Sequence, residues 1–119
     1  MSERVGVREA YDEALRLSRQ LDESLELLRR EARKVAEAER DYRHARARAW
    51  FGSEGTAKQR EDSVNAATAD ARYVRDVCDA ERMAALESVR SRRQQLSVLQ
   101  SLMAADRAEA DFVRTSGGV

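Results

Sequence analysis

The chain has 119 residues, 37% of them charged, with no proline, five glycines and 5% aromatics against 42% hydrophobics overall. A chain of this length is the size of one domain, and an Ala/Glu/Leu/Arg-rich composition without proline points to long helices or a coiled coil rather than a sheet fold. The single cysteine and single histidine exclude an internal disulfide, a cysteine-based zinc site and a histidine-pair metal site.

From Tyr11 onward a 3-4 spacing runs through Tyr11, Ala14, Ser18, Leu21, Leu25, Leu28, Ala32, Val35, Glu39, Tyr42, Arg46 and Ala49. This is the periodicity of a coiled-coil seam and predicts a first helix from about residue 9 to about residue 50. Leu15, Leu17 and Leu27 widen the apolar stripe, which leaves room for more than one packing partner. Asp12 with Arg16, Glu26 with Arg30 and Glu39 with Arg43 are acid-first pairs four residues apart, each worth about 0.2–0.5 kcal/mol.

Gly52-Ser53-Glu54-Gly55-Thr56 is the punctuation. Glycine ends helices because it takes the left-handed conformation without steric cost. Thr56 followed three residues later by Gln59 reads as a capping box. A second helix is expected from about 57 to 114, with a possible separate turn at 57–64 and a frayed tail at 115–119. Its stripe reads Ala67, Ala71, Val74, Cys78, then slips and resumes at Leu86, Val89, Arg93, Leu96, Leu99 and Met103, as a stutter would. The fold expected is an all-α, long antiparallel helical hairpin in a single domain over 1–114. Its small alanine-rich core favours a homodimer with a four-helix arrangement.

The net charge is zero, yet the signs are banded. Residues 1–28 carry four basic and seven acidic groups, 40–60 six and two, 61–81 two and six, and 82–93 four and one. Such banding can set how helices align. The charged start of the chain reads against a secretory signal, and no apolar run reaches membrane-span length. The expectation is a cytoplasmic protein without a membrane role.

No catalytic, cofactor or metal constellation is legible, and the chain reads as a non-enzyme. Cys78 falls in the seam, where a free cysteine acts as a small hydrophobe. His44 sits between arginines as an exposed helix residue. The acidic pairs lack the Glu-x-x-His pattern of a metal-binding bundle. Two basic clusters stand out. Arg40, Arg43, Arg46, Arg48, Lys58 and Arg60 could gather at the turn and hold phosphates, with Tyr42, Trp50 and Phe51 nearby as stacking surfaces. Arg92 and Arg93, with Gln95 as a polar neighbour, lie in a run that points around nearly the whole helix, so some of its members face solvent or a partner, and Arg92 and Arg93 are expected to contribute to partner contact.

The strings YRHARARAWFGSEGTAKQRED, TADARYVRDVCDAERMAALESVRSRRQQLSVLQS and AEADFVRT resemble short helical proteins encoded by actinobacteriophages and prophages, over roughly residues 39–114. That resemblance implies a phage accessory protein in host cytoplasm, binding a phage or host protein of DNA recombination or replication. It carries over no catalytic residues. Trp50-Phe51-Gly52 in the turn is similar to the W-x-G element of the WXG100 substrates of type VII secretion, although the Tyr-x-x-x-Asp/Glu signal after the second helix is missing.

Overall fold

The computed structural model describes residues 6–117 and is all-α: helices α1 (Val7–Phe51, 45 residues), α2 (Ala57–Ala67, 11 residues) and α3 (Ala69–Gly117, 49 residues), with no strand among the described residues. Tertiary contacts divide the chain into two compact units, Met1–Leu25 with Glu87–Val119, and Glu26–Leu86.

The turn forms as its residues dictate. Gly55 has a φ of +105°, a region that L side chains rarely adopt. The Thr56 hydroxyl accepts from the Gln59 backbone N–H at 3.2 Å, and the Gln59 side-chain oxygen accepts from the Thr56 N–H at 3.0 Å. Both halves of the expected capping box are therefore made. Arg60 closes the other side of the turn: its guanidinium donates to the Trp50 carbonyl (3.0 Å) and to Ser53 Oγ (3.1 Å). The same carbonyl at the end of α1 also accepts from the Ser53 N–H (3.1 Å) and hydroxyl (2.6 Å).

In the second unit the seam of α1 is Leu28, Glu31, Val35, Ala38, Tyr42 and Ala49, and it meets Val64, Thr68, Ala71, Arg75, Cys78, Arg82 and Ala85. The two arms run antiparallel, since Arg46 reaches Asn65 (3.0 Å) while Glu39 faces Arg75 (3.7 Å). In the first unit Ala10, Ala14, Leu17 and Leu21 line α1, and Val89, Arg92, Leu96, Leu99 and Met103 line α3. There Arg92 donates to the Gln20 side chain at 3.0 Å.

These positions correct the sequence reading in four places. On α1 the shared positions Ala14, Leu21, Leu28, Val35, Tyr42 and Ala49 are inward, but Ala10, Leu17, Glu31 and Ala38 replace Tyr11, Ser18, Ala32 and Glu39 as the most buried of the alternate set. After the turn no stutter exists, because half-buried arginines at 75, 82 and 92 keep a strict four-three spacing. The second helix is divided at Thr68, whose φ of −110° and ψ of 12° depart from helical values. Thr68 Oγ1 donates to the Val64 carbonyl (2.7 Å) alongside its own backbone N–H (3.0 Å), a bond that competes with the ladder and bends helices. Finally, residues 115–117 are helical rather than frayed, held by Arg114 to Asp111 (2.7 Å) and Thr115 Oγ1 to the Asp111 carbonyl (2.8 Å). Residues 118 and 119 of the expected tail lie outside the described residues.

Of the three acid-first pairs, only Glu39 with Arg43 closes as expected, at 3.0 Å. Arg16 pairs with Glu13 and Arg29 with Glu26 instead, each three residues apart.

Candidate interaction surfaces

Of the six basic residues near the turn, Arg46 and Arg60 are taken up by internal bonds and the other four are exposed. Arg46 is half-buried, bonded to Asn65 (3.0 Å) and to Tyr42 Oη (3.4 Å). Arg60 is held by the α1 terminus and stacks on Trp50, 4.3 Å from the ring centre. Arg43 is tied to Glu39 and Arg40 lies against Asp41. Arg48 and Lys58 are exposed, and their side chains make no bond among the described residues. Of the aromatics, Tyr42 is buried, Trp50 lies under Arg60, and only Phe51 projects freely at 86% exposure.

Tyr42 is the centre of a polar knot in the second-unit seam. Arg75 stacks on its ring at 4.4 Å and Arg46 stands 5.8 Å from the centroid. Arg72 and Arg46 share the Asn65 Oδ1 acceptor, at 3.3 and 3.0 Å. These guanidiniums, Arg72 foremost, favour the phenolate and set the Tyr42 hydroxyl below the usual tyrosine range. The knot fixes the register of two arms whose other seam residues are mostly small.

Arg92, Arg93 and Gln95 part company in the first unit. Arg92 turns inward to Gln20 and also donates to Gln95 Oε1 at 3.3 Å, whereas Arg93 is exposed and its side chain makes no bond among the described residues. Arg92 and Gln95 line an open groove together with Glu13, Arg16, Leu17, Val98, Leu99 and Leu102.

His44 lies in an exposed shallow depression with Ala36, Glu39, Arg40 and Arg43. Cys78 is half-buried on the seam. Among the described residues no group of three or more His, Cys, Asp or Glu is placed to hold a metal ion, and no helix is long and apolar enough to cross a membrane.

One surface escaped the sequence reading. On α3 in the second unit, the face turned away from the seam carries Tyr73, Val77, Ala80 and Ala84, with Val74 and Met83 at its edges, all exposed. Tyr73 is 70% exposed. On α1 in the same unit the corresponding outward positions are Glu26, Arg30, Arg33, Glu37, Arg40 and His44. The charged face is what a solvated helix presents, and the uncharged one is not. The signal was in the sequence as the four-three series 73, 77, 80, 84, two residues out of step with the seam. It was hidden because Ala67, Ala71, Val74 and Cys78 were read as the inward stripe.

No protein-family model matches the chain, and neither a curated protein nor a solved structure is significantly similar to it.

Proposed function

We propose that this chain is a non-enzymatic helical interaction protein that docks a segment of another protein on the outward face of α3 around Tyr73 and Val77. The carrying observation is the contrast within the second unit between that largely apolar face and the outward face of α1, where Glu26, Arg30, Arg33, Glu37 and Arg40 are charged. Exposed apolar rows of this kind are uncommon on solvated helices and mark contact surfaces. The phage resemblance supplies the setting: an accessory factor in host cytoplasm, acting on a protein of phage or host DNA recombination or replication. A homodimer belongs to the same reading, because the first unit also leaves large apolar side chains exposed.

The test is affinity capture from infected cells with the wild-type chain and with a Tyr73→Glu, Val77→Glu variant. Both positions are exposed, so helicity and melting temperature are expected to stay unchanged while the partner is lost. Equal capture by the two chains overturns the reading.

Direct nucleic-acid binding through Arg40, Arg43, Arg46, Arg48, Lys58 and Arg60 is the second reading, and it rests on exposed Arg40, Arg43, Arg48 and Lys58. Internal bonds already occupy Arg46 and Arg60. A salt titration with single- and double-stranded DNA separates the two: phosphate contacts give steeply salt-dependent affinity. Salt-sensitive binding at about micromolar affinity or tighter, lost with Arg48→Ala and Lys58→Ala, reverses the order of the two readings.

A further inference from the structure

The docking face on α3 has a border of one sign. The charges flanking Tyr73, Val77, Ala80 and Ala84 are Asp70, Asp76 and Glu81, all exposed and all acidic. Asp76 is engaged by Arg75 at 3.0 Å. Asp70 and Glu81 make no hydrogen bond or ion pair among the described residues, although arginines make up most of the cations of this chain. Arg72, Arg75 and Arg82 are turned toward Asn65, Tyr42 and Asp79 instead. The face is therefore an apolar strip of about 17 Å, at 1.5 Å per residue, with the unpaired carboxylates of Asp70 and Glu81 on its border and Asp76 neutralised by Arg75.

From this arrangement we infer that the occupant is an amphipathic helix with an apolar stripe flanked by lysine or arginine. The inference rests on the docking reading above and names the chemistry of its partner. Two aligned helices bury a four-three stripe while their flanking residues meet across its edges, so the flanks select the partner. A basic flank places cations against Asp70 and Glu81. A second copy of α3 brings acid against acid, a juxtaposition that costs several kcal/mol. A second copy of α1 offers Glu26, Arg30, Arg33, Glu37, Arg40 and His44, with no apolar stripe to fill the strip.

The experiment uses the full chain and two synthetic helical peptides of about three heptads with identical leucine stripes, one flanked by lysine and one by glutamate. Binding is read by fluorescence anisotropy at low and at high salt, and self-association by sedimentation. The lysine-flanked peptide is expected to bind at least about tenfold more tightly, with the preference falling at high salt. Asp70→Lys with Glu81→Lys is expected to reverse the preference, and Tyr73→Ala with Val77→Ala to weaken both peptides; circular dichroism confirms that each variant folds. A preference for the lysine peptide that survives the charge swap assigns it to some other acidic surface and overturns the inference. Tighter or equal binding of the glutamate peptide overturns the basic-helix inference and leaves the docking reading standing. No binding of either peptide at roughly 100 µM overturns both. Sedimentation as an oligomer that Tyr73→Ala, Val77→Ala dissolves makes a second copy the occupant and also overturns the inference.

Discussion

Gly55 shows how one residue can hold a turn. A Cβ built on it would stand 2.4 Å from the Gln59 side-chain oxygen, the same atom that accepts from the Thr56 N–H. Gly55→Ala therefore forces a left-handed backbone on an L residue and displaces half of the capping box. A loss of about 1–2 kcal/mol is expected, read as a lowered denaturation midpoint with the helical spectrum retained. Tyr42 offers a pH signature. Its hydroxyl titrates below the ordinary tyrosine range because Arg72 and Arg46 favour the phenolate. At pH below the lowered folded value the phenol is protonated in both the folded and the unfolded chain, so the shift contributes nothing. As pH rises through the lowered folded value the folded chain releases its proton first, and stability relative to Tyr42→Phe increases until the unfolded tyrosine also ionises, near its ordinary value. Ultraviolet titration of wild type and Tyr42→Phe checks this: the earliest-titrating phenol is expected to vanish in the variant, and its survival there would refute the assignment.

At the scale of the helices, the seam is built as much from polar as from apolar residues. Glu31 is 7% exposed, with Lys34 on Oε1 at 3.3 Å and a buried Oε2 that lacks a hydrogen-bond partner. Replacing it by leucine removes that uncompensated carboxylate oxygen and adds apolar contact at a coiled-coil position. Glu31→Leu is expected to stabilise by about 1–3 kcal/mol, and a destabilised variant would show that Glu31 is compensated after all. Arg92→Ala removes the bond to Gln20 and is expected to cost about 1 kcal/mol, whereas exposed Arg93→Ala is expected to leave the melting temperature unmoved. Equal effects of the two would contradict the inward placement of Arg92. This polar content also decides what could be read from the sequence. The turn, its cap and both helical arms were legible because glycine, Thr-x-x-Gln and alternating apolar spacing are local signals. The register after the turn was not, because Arg75, Arg82 and Arg92 carry apolar stems under charged ends, and a hydrophobicity pattern counts only the ends. The break at Thr68 is a change of backbone angles at one residue, and helix periodicity carries no trace of it. Lys58, Arg60 and the arginines at 40–48 are close in sequence, yet proximity could not reveal that two of them are bonded inward.

For the molecule as a whole, charge and exposed apolar surface bear on self-association. The formal charge is zero, so no net electrostatic repulsion keeps copies apart near neutral pH. In the first unit the buried apolar residues are Ala10, Leu17 and Val89, while Val7, Tyr11 and Leu15 on α1 and Val98, Leu102, Phe112 and Val113 on α3 are exposed. Val7, Tyr11 and Leu15 are spaced by four and share one face, so a single partner surface can cover all three. Burying one exposed leucine-sized side chain contributes about 1.5–3 kcal/mol, so covering several is enough to offset the entropy of association. Light scattering at about 10 µM is expected to give twice the chain mass. Tyr11→Lys with Leu15→Lys is expected to shift the protein to a monomer without loss of helicity in α3. Tyr73→Glu with Val77→Glu is expected to leave the dimer intact, because the acidic border of that face opposes a second copy. A monomeric wild type would remove the dimer and leave the partner-docking face on α3 untouched. Loss of the dimer through Tyr73 and Val77, with Tyr11 and Leu15 variants still dimeric, would move self-association onto that face and refute the division of roles between the two units.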